Sequence, residues 1–316
     1  MNVCITVGGL GSEQVARLQA ALLGHVVTIC SSAPEAEKRA AVAAAEVVFG
    51  NVPAPWLNAA VGLRWVQLDS AGVDAYLKIN DTPRAVPVLL TNLSGFYDRA
   101  VAEGALAGIL ALYRQLPRLL AAQTASCWVK TAVEPDICAL DGNVALLLGA
   151  GSIGQRVAHL LAAFDVRCRF FSRTPRPGGL HTLAELASAF ATTDLLINTL
   201  PHTPETIGFI SRERLTLLKR GAVVVNVGRG STLDETALVD FLDSGHLGGA
   251  VLDVTAVEPL PLSSPLWGHP KVLLTQHTGG RFPAEADRKI EVFLSNVARF
   301  QKGVALAHRV ELARGY

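Results

Sequence analysis

From Asn143 onward the chain sets out six short, mostly apolar runs: VALLL at 144–148, RCRFF at 167–171, LLINTL at 195–200, AVVVNV at 222–227, GAVLDV at 249–254 and KVLLT at 271–275. Near-continuous hydrophobicity, in place of strict alternation, is the pattern of parallel strands covered by helices on both faces. The intervals carry helical spacing. Val157, Leu160, Leu161 and Phe164 make one apolar stripe, and Thr232 with Glu235 reads as a capping box ahead of Leu238, Phe241 and Leu242. A doubly wound α/β domain follows.

The first hundred residues repeat this logic more weakly, with strand candidates at 3–7, 26–30, 47–49, 65–68 and 86–90 separated by Ala-rich helical segments. At 316 residues, half of them apolar and 17% charged, the chain is long enough for two cores. Residues 99–116 (RAVAEGALAGILALYRQL) read as one long apolar helix that joins the domains and offers a surface for a subunit contact. After Phe282 the stretch AEADRKIEVFLSNVARFQKG reads as an amphipathic helix returning to the first domain. The expected division is therefore a discontinuous domain of residues 1–98 with 282–316, and a second domain of residues 99–281.

Charge and cysteine usage narrow the partners. The formal net charge is +1, from 28 basic and 27 acidic residues, and no long like-charge block is present to grip nucleic acid or an anionic membrane. The five cysteines are scattered and never spaced C-x-x-C, so neither a disulfide framework nor a metal site is expected, and they read as small buried apolar residues. MNVCITVGGL has no basic start and reads as a first strand, and no run approaches about eighteen consecutive apolar residues. A cytoplasmic protein without membrane partners is the expectation.

Directly after the run at 144–148 comes GAGSIG, with Gly149, Gly151 and Gly154 at the G-x-G-x-x-G spacing and Ser152 and Ile153 opening the next helix. Between a strand and a helix this is the dinucleotide turn of a Rossmann domain: glycines bring backbone close to a pyrophosphate, and the free N–H groups at the helix start attract its oxygens. The next run ends in Ser172-Arg173-Thr174, where NAD-binding domains place a carboxylate on the ribose hydroxyls. Here Ser172 and Thr174 supply hydrogen-bonding hydroxyls and Arg173 a guanidinium suited to the 2′-phosphate of NADP. NADP(H) is thus the expected cofactor, with NAD(H) still admitted. The alternative leaves Arg173 on the adenine or in solvent and the choice of cofactor open.

Three ionisable residues follow at the ends of later strands: Arg229 in VNVGRG, Glu258 in LDVTAVEPLP and His277 in LLTQHTGG. With GAGSIG, LPHTPET at 200–206, VNVGRGSTLDETAL at 225–238, PLWGHPKVLLTQH at 265–277 and DSAGVD at 69–74, the sequence resembles the D-isomer-specific 2-hydroxyacid dehydrogenases over nearly its whole length. The region of Arg173 and the overall length look most like the glyoxylate and hydroxypyruvate reductases. The resemblance implies a smaller flavodoxin-like substrate domain beside the Rossmann-type domain, a homodimer, and catalytic Arg229, Glu258 and His277. It also implies Ala71 and Gly72 N–H groups on a substrate carboxylate, Asp253 on the nicotinamide carboxamide, and Pro201 and Val227 against the cofactor.

The implied chemistry suits those residue types. Hydride delivery to a 2-oxoacid builds negative charge on the carbonyl oxygen unless a proton arrives in step, and an imidazole is a competent donor near neutral pH. Glu258 would accept from the other ring nitrogen and fix the tautomer. Arg229 offers a planar fork to the carboxylate and the developing oxyanion. Gln276 departs from the family, which has proline before its histidine, so a less rigid loop is expected there. Tyr97 and Trp128 are candidates for shaping specificity, with packing in a core or subunit contact the favoured reading of Trp128. Two other functions compete: an oxidising relative of the formate or phosphite type, and a dinucleotide-sensing, corepressor-like binding protein with little catalysis.

Overall fold

In the computed structural model, which describes residues 1–81 and 83–314, the strands form two sheets whose named pairings are all parallel. Each sheet belongs to its own unit, one made of residues 1–96 and 282–316 and the other of residues 97–281.

The first unit holds β1 (Asn2–Ile5), β2 (Val26–Ile29), β3 (Val47–Phe49), β4 (Trp65–Gln67) and β5 (Leu89–Thr91) in the order β2-β1-β3-β4-β5, the flavodoxin arrangement. The last strand begins later than the run at 86–90 suggests. Pro87 has no N–H for a ladder, and the Asn80 side chain clamps Val88 by accepting from its N–H (2.8 Å) and donating to its carbonyl (3.1 Å). Helix Glu285–Gln301 closes this unit's core. Its Phe293 stacks on Phe49 with ring centroids 4.3 Å apart and lies 5.5 Å from Trp65. Buried Asn296 donates to Gln67 Oε1 (2.9 Å) and accepts from the Ala307 N–H (2.8 Å).

The second unit holds β6 (Val144–Leu148), β7 (Arg167–Phe171), β8 (Leu195–Asn198), β9 (Ala222–Asn226), β10 (Leu247–Leu252) and β11 (Val272–Leu274), in the order β11-β10-β9-β8-β6-β7. The expected single helix over 99–116 is instead two. Helix Asp98–Tyr113 ends where Gln115 turns left-handed at φ +55°, and helix Leu116–Thr124 starts anew with Pro117 in its first turn. The first of these spends much of its apolar surface inside the unit, with Val101, Ala102, Ala105 and Ile109 packed among β6, β8, β9 and β10 residues. The large exposed apolar side chains come later, at Leu116, Leu120 and Trp128. At 93% exposure Trp128 packs in no core of this chain.

Two further expectations change. The helix Glu235–Asp243 is capped by Asp234, whose carboxylate accepts from the Ala237 N–H; the Thr232 hydroxyl donates to the Arg229 carbonyl and Glu235 accepts from the Ala256 N–H, so the capping box does not form. Of the cysteines, Cys4 and Cys30 are buried, but Cys127 and Cys138 are exposed and Cys168 is half-buried. Among the described residues no cluster of His, Cys, Asp and Glu is set to hold a metal ion, and no helix is long and apolar enough to cross a membrane.

The aromatic stack gives a direct test of the first unit. Phe293→Ala removes a fully buried ring facing Phe49 and Trp65 and is expected to cost about 3–5 kcal/mol, read as a lower denaturant midpoint.

Candidate functional site

In the second sheet the chain runs from β6 outward to β7, then crosses back to β8 on the other side of β6. The carboxyl ends of β6 and β8 therefore flank a topological switch point, where doubly wound sheets bind ligands. All the site residues expected in this unit follow strand ends on that one edge. Gly149, Gly151, Ser152, Ile153 and Gly154 follow β6, and Ser172, Arg173 and Thr174 follow β7. Pro201 comes after β8, Val227 and Arg229 after β9, Asp253 and Glu258 after β10, and His277 after β11.

The turn after β6 is shaped for close approach. Gly149 sits at φ +97°, and a Cβ there would lie 2.6 Å from Thr199 Oγ1; one on Gly154 would lie 2.6 Å from the Gly149 carbonyl oxygen. These glycines serve internal packing. Gly151 differs, since a Cβ there would meet no atom within 4 Å. That open space fronts helix Ser152–Ala162, whose first turn has no side-chain cap, so the Ser152 and Ile153 N–H groups could take pyrophosphate oxygens. The Ile153 side chain packs against the core, so only its backbone faces this role. The residues present fit a dinucleotide.

After β7, Ser172 donates its hydroxyl to the Thr174 carbonyl (2.7 Å), folding a tight exposed turn around Arg173. Arg173 lies near enough to Glu205 to help hold that carboxyl below its ordinary range, a shift caused first by the Thr203 hydroxyl. His202, in the loop after β8, pairs through Nδ1 with Ser231 Oγ at 2.7 Å.

The His277–Glu258 pair forms as the motifs suggest. His277 Nδ1 lies 2.7 Å from Glu258 Oε2, and Glu258 Oε1 accepts from the Thr255 N–H at 3.0 Å. The loop bearing His277 is bound to Asp253, a buried carboxylate. Its Oδ1 accepts from the Thr275 hydroxyl (2.6 Å) and from the Thr278 and Gly279 N–H groups (3.1 Å each), while its carbonyl accepts from the His277 N–H (2.6 Å). Gln276 and His277 are both left-handed, at φ +52° and +56°. A proline ring is locked near φ about −65° and does not reach that conformation. Gln276 takes that turn in place of the family's proline, and the residues around it are bonded to Asp253.

Arg229 is set by its backbone. Its carbonyl accepts from Asn226 Nδ2 (3.1 Å) and the Thr232 hydroxyl (2.6 Å), and Asn198 Nδ2 donates to both Asn226 Oδ1 (2.8 Å) and Thr232 Oγ1 (2.7 Å). Asn198, Asn226 and Thr232 are fully buried. The guanidinium Nη1 donates to the Gly228 carbonyl at 2.8 Å. Gly230 then lets this loop touch the one carrying Glu258, because a Cβ there would fall 1.9 Å from the Thr255 carbonyl carbon. On the next residue, the Ala256 N–H donates to Glu235 at 2.6 Å. Burial pushes the Glu235 carboxyl up, the Ala256 bond opposes it, and the charge of Glu258 adds to the rise. Arg229, Glu258 and His277 are thus joined through Gly230, Thr255 and Glu258. A cavity of about 450 Å³ lies against the acid pair, lined by Asp253, Thr255, Glu258, Trp267, Gln276 and His277; Arg229 is not in its lining.

Sequence reasoning missed Asn198, Asn226, Thr232 and Gly230. A signal for the asparagines was present: each ends an otherwise apolar strand, and parallel register sets one opposite the other.

In the first unit, Ala71 and Gly72 lie in the turn after β4. The Ser70, Ala71 and Gly72 carbonyls accept from the Leu93 N–H (2.9 Å), Asn92 Nδ2 (2.8 Å) and the Ser70 hydroxyl (2.8 Å). Among the described residues the Ala71 and Gly72 N–H groups meet no acceptor.

Comparison with known proteins shows the family and the fold. Residues 106–279 match the sequence model for the D-isomer specific 2-hydroxyacid dehydrogenase NAD binding domain. The chain is 36% identical over 256 residues to a glyoxylate/hydroxypyruvate reductase A of Salmonella paratyphi B, covering 78% of this chain and 80% of that protein. A D-isomer specific 2-hydroxyacid dehydrogenase of Xanthobacter autotrophicus, solved with NADPH and MES, superposes with TM-score 0.80 at 30% identity over 99% of each chain. The NADPH-dependent glyoxylate/hydroxypyruvate reductase of Sinorhizobium meliloti, solved with NADP and sulfate, gives TM-score 0.84 at 26% identity over 99% of each chain.

The contact at Gly230 is testable without any ligand. Gly230→Ala would drive a methyl into the Thr255 carbonyl, and is expected to cost about 2–4 kcal/mol of unfolding free energy and to shift the amide resonances of Thr255 and Ala256. A fully stable variant with unmoved resonances would contradict that packing.

Proposed function

The chain belongs to the D-isomer specific 2-hydroxyacid dehydrogenase family, whose members are NAD(P)-dependent enzymes, and from that premise we propose an NADPH-preferring reductase of small 2-oxoacids of the glyoxylate and hydroxypyruvate kind. The products are D-2-hydroxyacids and the proton donor is His277. The observation that carries this reading is the 2.7 Å bond from His277 Nδ1 to Glu258, on a loop in contact with that of Arg229.

A bound reduced nicotinamide supplies the hydride. Glu258 takes the Nδ1 proton of His277 in a hydrogen bond, so the proton available for transfer is the one on Nε2. Arg229 binds the substrate carboxylate and places positive charge beside the carbonyl oxygen as its negative charge grows. The Ala71 and Gly72 N–H groups are assigned to a substrate carboxylate. Ser152 and Ile153 hold the pyrophosphate, with Gly149, Gly151 and Gly154 permitting its approach, and Pro201, Val227 and Asp253 face the rest of the cofactor.

Arg173, between Ser172 and Thr174 and with no carboxylate in their place, is assigned to the 2′-phosphate; the NADP and NADPH held by the Sinorhizobium and Xanthobacter enzymes support this preference, with NAD(H) a weaker substitute. Residues 1–98 with 282–316 are assigned to the substrate and residues 99–281 to the dinucleotide. A cytoplasmic homodimer completes the reading, and exposed Leu116, Leu120 and Trp128 are the apolar surface such a dimer would cover.

Purified protein is expected to oxidise NADPH with glyoxylate or hydroxypyruvate. His277→Asn should lower kcat by roughly 10²–10⁴-fold with little change in cofactor affinity. Arg173→Ala should raise the KM for NADPH far more than that for NADH. Absence of turnover with any 2-oxoacid would defeat the reductase reading in favour of a dinucleotide-sensing protein.

A further inference from the structure

The loop that follows β7 runs Ser172-Arg173-Thr174-Pro175-Arg176-Pro177-Gly178-Gly179-Leu180, with two prolines and two glycines and little backbone ladder of its own. Backbone bonds close its ends, Ser172 N–H to the Leu180 carbonyl and Leu180 N–H to the Phe170 carbonyl, and Gly179 N–H donates to the Arg176 carbonyl; the span that carries Arg173 is held by His181. The ring Nδ1 lies 3.0 Å from the Ser172 carbonyl oxygen and Nε2 lies 3.2 Å from the Arg176 N. A carbonyl only accepts, so Nδ1 donates to Ser172, while Nε2 meets Arg176 at both its N–H and its carbonyl oxygen, the latter at 3.3 Å. One imidazole therefore clasps the loop on both sides of Arg173 and Thr174. The ring sits tight against the loop, since a Cβ on Gly179 would come 3.1 Å from its Cε1.

Behind the ring, the His181 N–H donates to Glu185 Oε2 (3.0 Å), which also accepts from the Thr182 N–H and hydroxyl (2.9 Å each). These bonds, that of the His181 backbone foremost, bring the Glu185 carboxyl down to about 2, so the anchor stays ionised across the neutral range. The base of the clasp is thus a helix start capped by Thr182 and Glu185.

We propose that His181 is a positioning residue for cofactor selection: by joining Ser172 to Arg176 it pre-forms the arch from which Arg173 meets the 2′-phosphate. This rests on the assignment of Arg173 to that phosphate. A loop already ordered loses less freedom when the phosphate binds, and the benefit falls on NADPH because NADH brings only a hydroxyl to that place.

The test compares the unaltered protein with His181→Phe, His181→Asn and Arg173→Ala. Affinities for NADPH and NADH are read by fluorescence titration, and for adenosine 2′-monophosphate by calorimetry. His181→Phe keeps a ring but loses both bonds. It should weaken NADPH and adenosine 2′-monophosphate by roughly tenfold and NADH by less than about twofold, with kcat at saturating NADPH unchanged. His181→Asn, whose amide can still donate to Ser172, should recover part of the loss. If His181→Phe weakens both dinucleotides alike, or neither, while Arg173→Ala still weakens NADPH selectively, the clasp has no part in selection and the assignment of Arg173 stands. If Arg173→Ala is itself unselective, the assignment fails and the inference with it.

Discussion

Two buried amides, Asn198 at the end of β8 and Asn226 directly opposite on β9, hold the reactive edge of the second unit together. A buried amide left without partners costs about 1–3 kcal/mol per group, so their presence at the ends of apolar strands demands a complete set of bonds. Asn198 donates twice, to Asn226 and to Thr232, and its oxygen accepts from the Leu200 N–H; Asn226 accepts from the Gly228 N–H and donates to the Arg229 carbonyl. The loops after β8 and β9 are consequently one hydrogen-bonded object. The position of Arg229 follows from strand register, because sliding β8 against β9 by one residue would separate the two amides.

The acid pair depends on a different restraint. His277 and Glu258 keep side-chain exposures of 55% and 39%, and an ion pair so open to water contributes little to stability. Its value lies in orientation: a carboxylate 2.7 Å from Nδ1 accepts a proton there and fixes the direction of the ring. The rigidity comes from Asp253, which is buried and binds three donors of the loop between Thr275 and Gly279 through one carboxylate oxygen. That arrangement accounts for a left-handed pair at Gln276 and His277 in a chain that has no glycine at either place.

What could be read from the sequence follows the range of the forces involved. Five of the six strands of the second sheet fall within their apolar runs because burial on both faces leaves a dense apolar stretch, whereas β10 begins two residues before its run, at Leu247; GAGSIG is recognisable because its spacing belongs to one strand–turn–helix unit. Arg229, Glu258 and His277 were legible as motifs. The helix over 99–116 was drawn too long because hydrophobicity continues past Tyr113 while the backbone reverses at Gln115, and only Pro117 marks the new start. Thr232 and Glu235 have the spacing of a capping box, but long-range partners, the Arg229 carbonyl and the Ala256 N–H, take both side chains. Asn198 and Asn226 are separated by 28 residues, and the signal they carry, a polar end to each apolar strand, points to contact only once β8 and β9 are paired.

The same distinction explains why His181 carries no motif. Its two ring bonds reach back nine and five residues into a loop whose composition signals only a turn, and its backbone is tied forward to Glu185. A loop rich in proline and glycine has few backbone groups able to bind one another, so a side chain with both a donor and an acceptor on a rigid ring can hold it at two points at once. Asparagine amides fix the loop of Arg229, a carboxylate fixes that of His277, and an imidazole fixes that of Arg173. In each case the bonds that hold the loop are made by residues other than the one expected to meet a ligand, which is exposed at Arg173 and His277 and half-buried at Arg229.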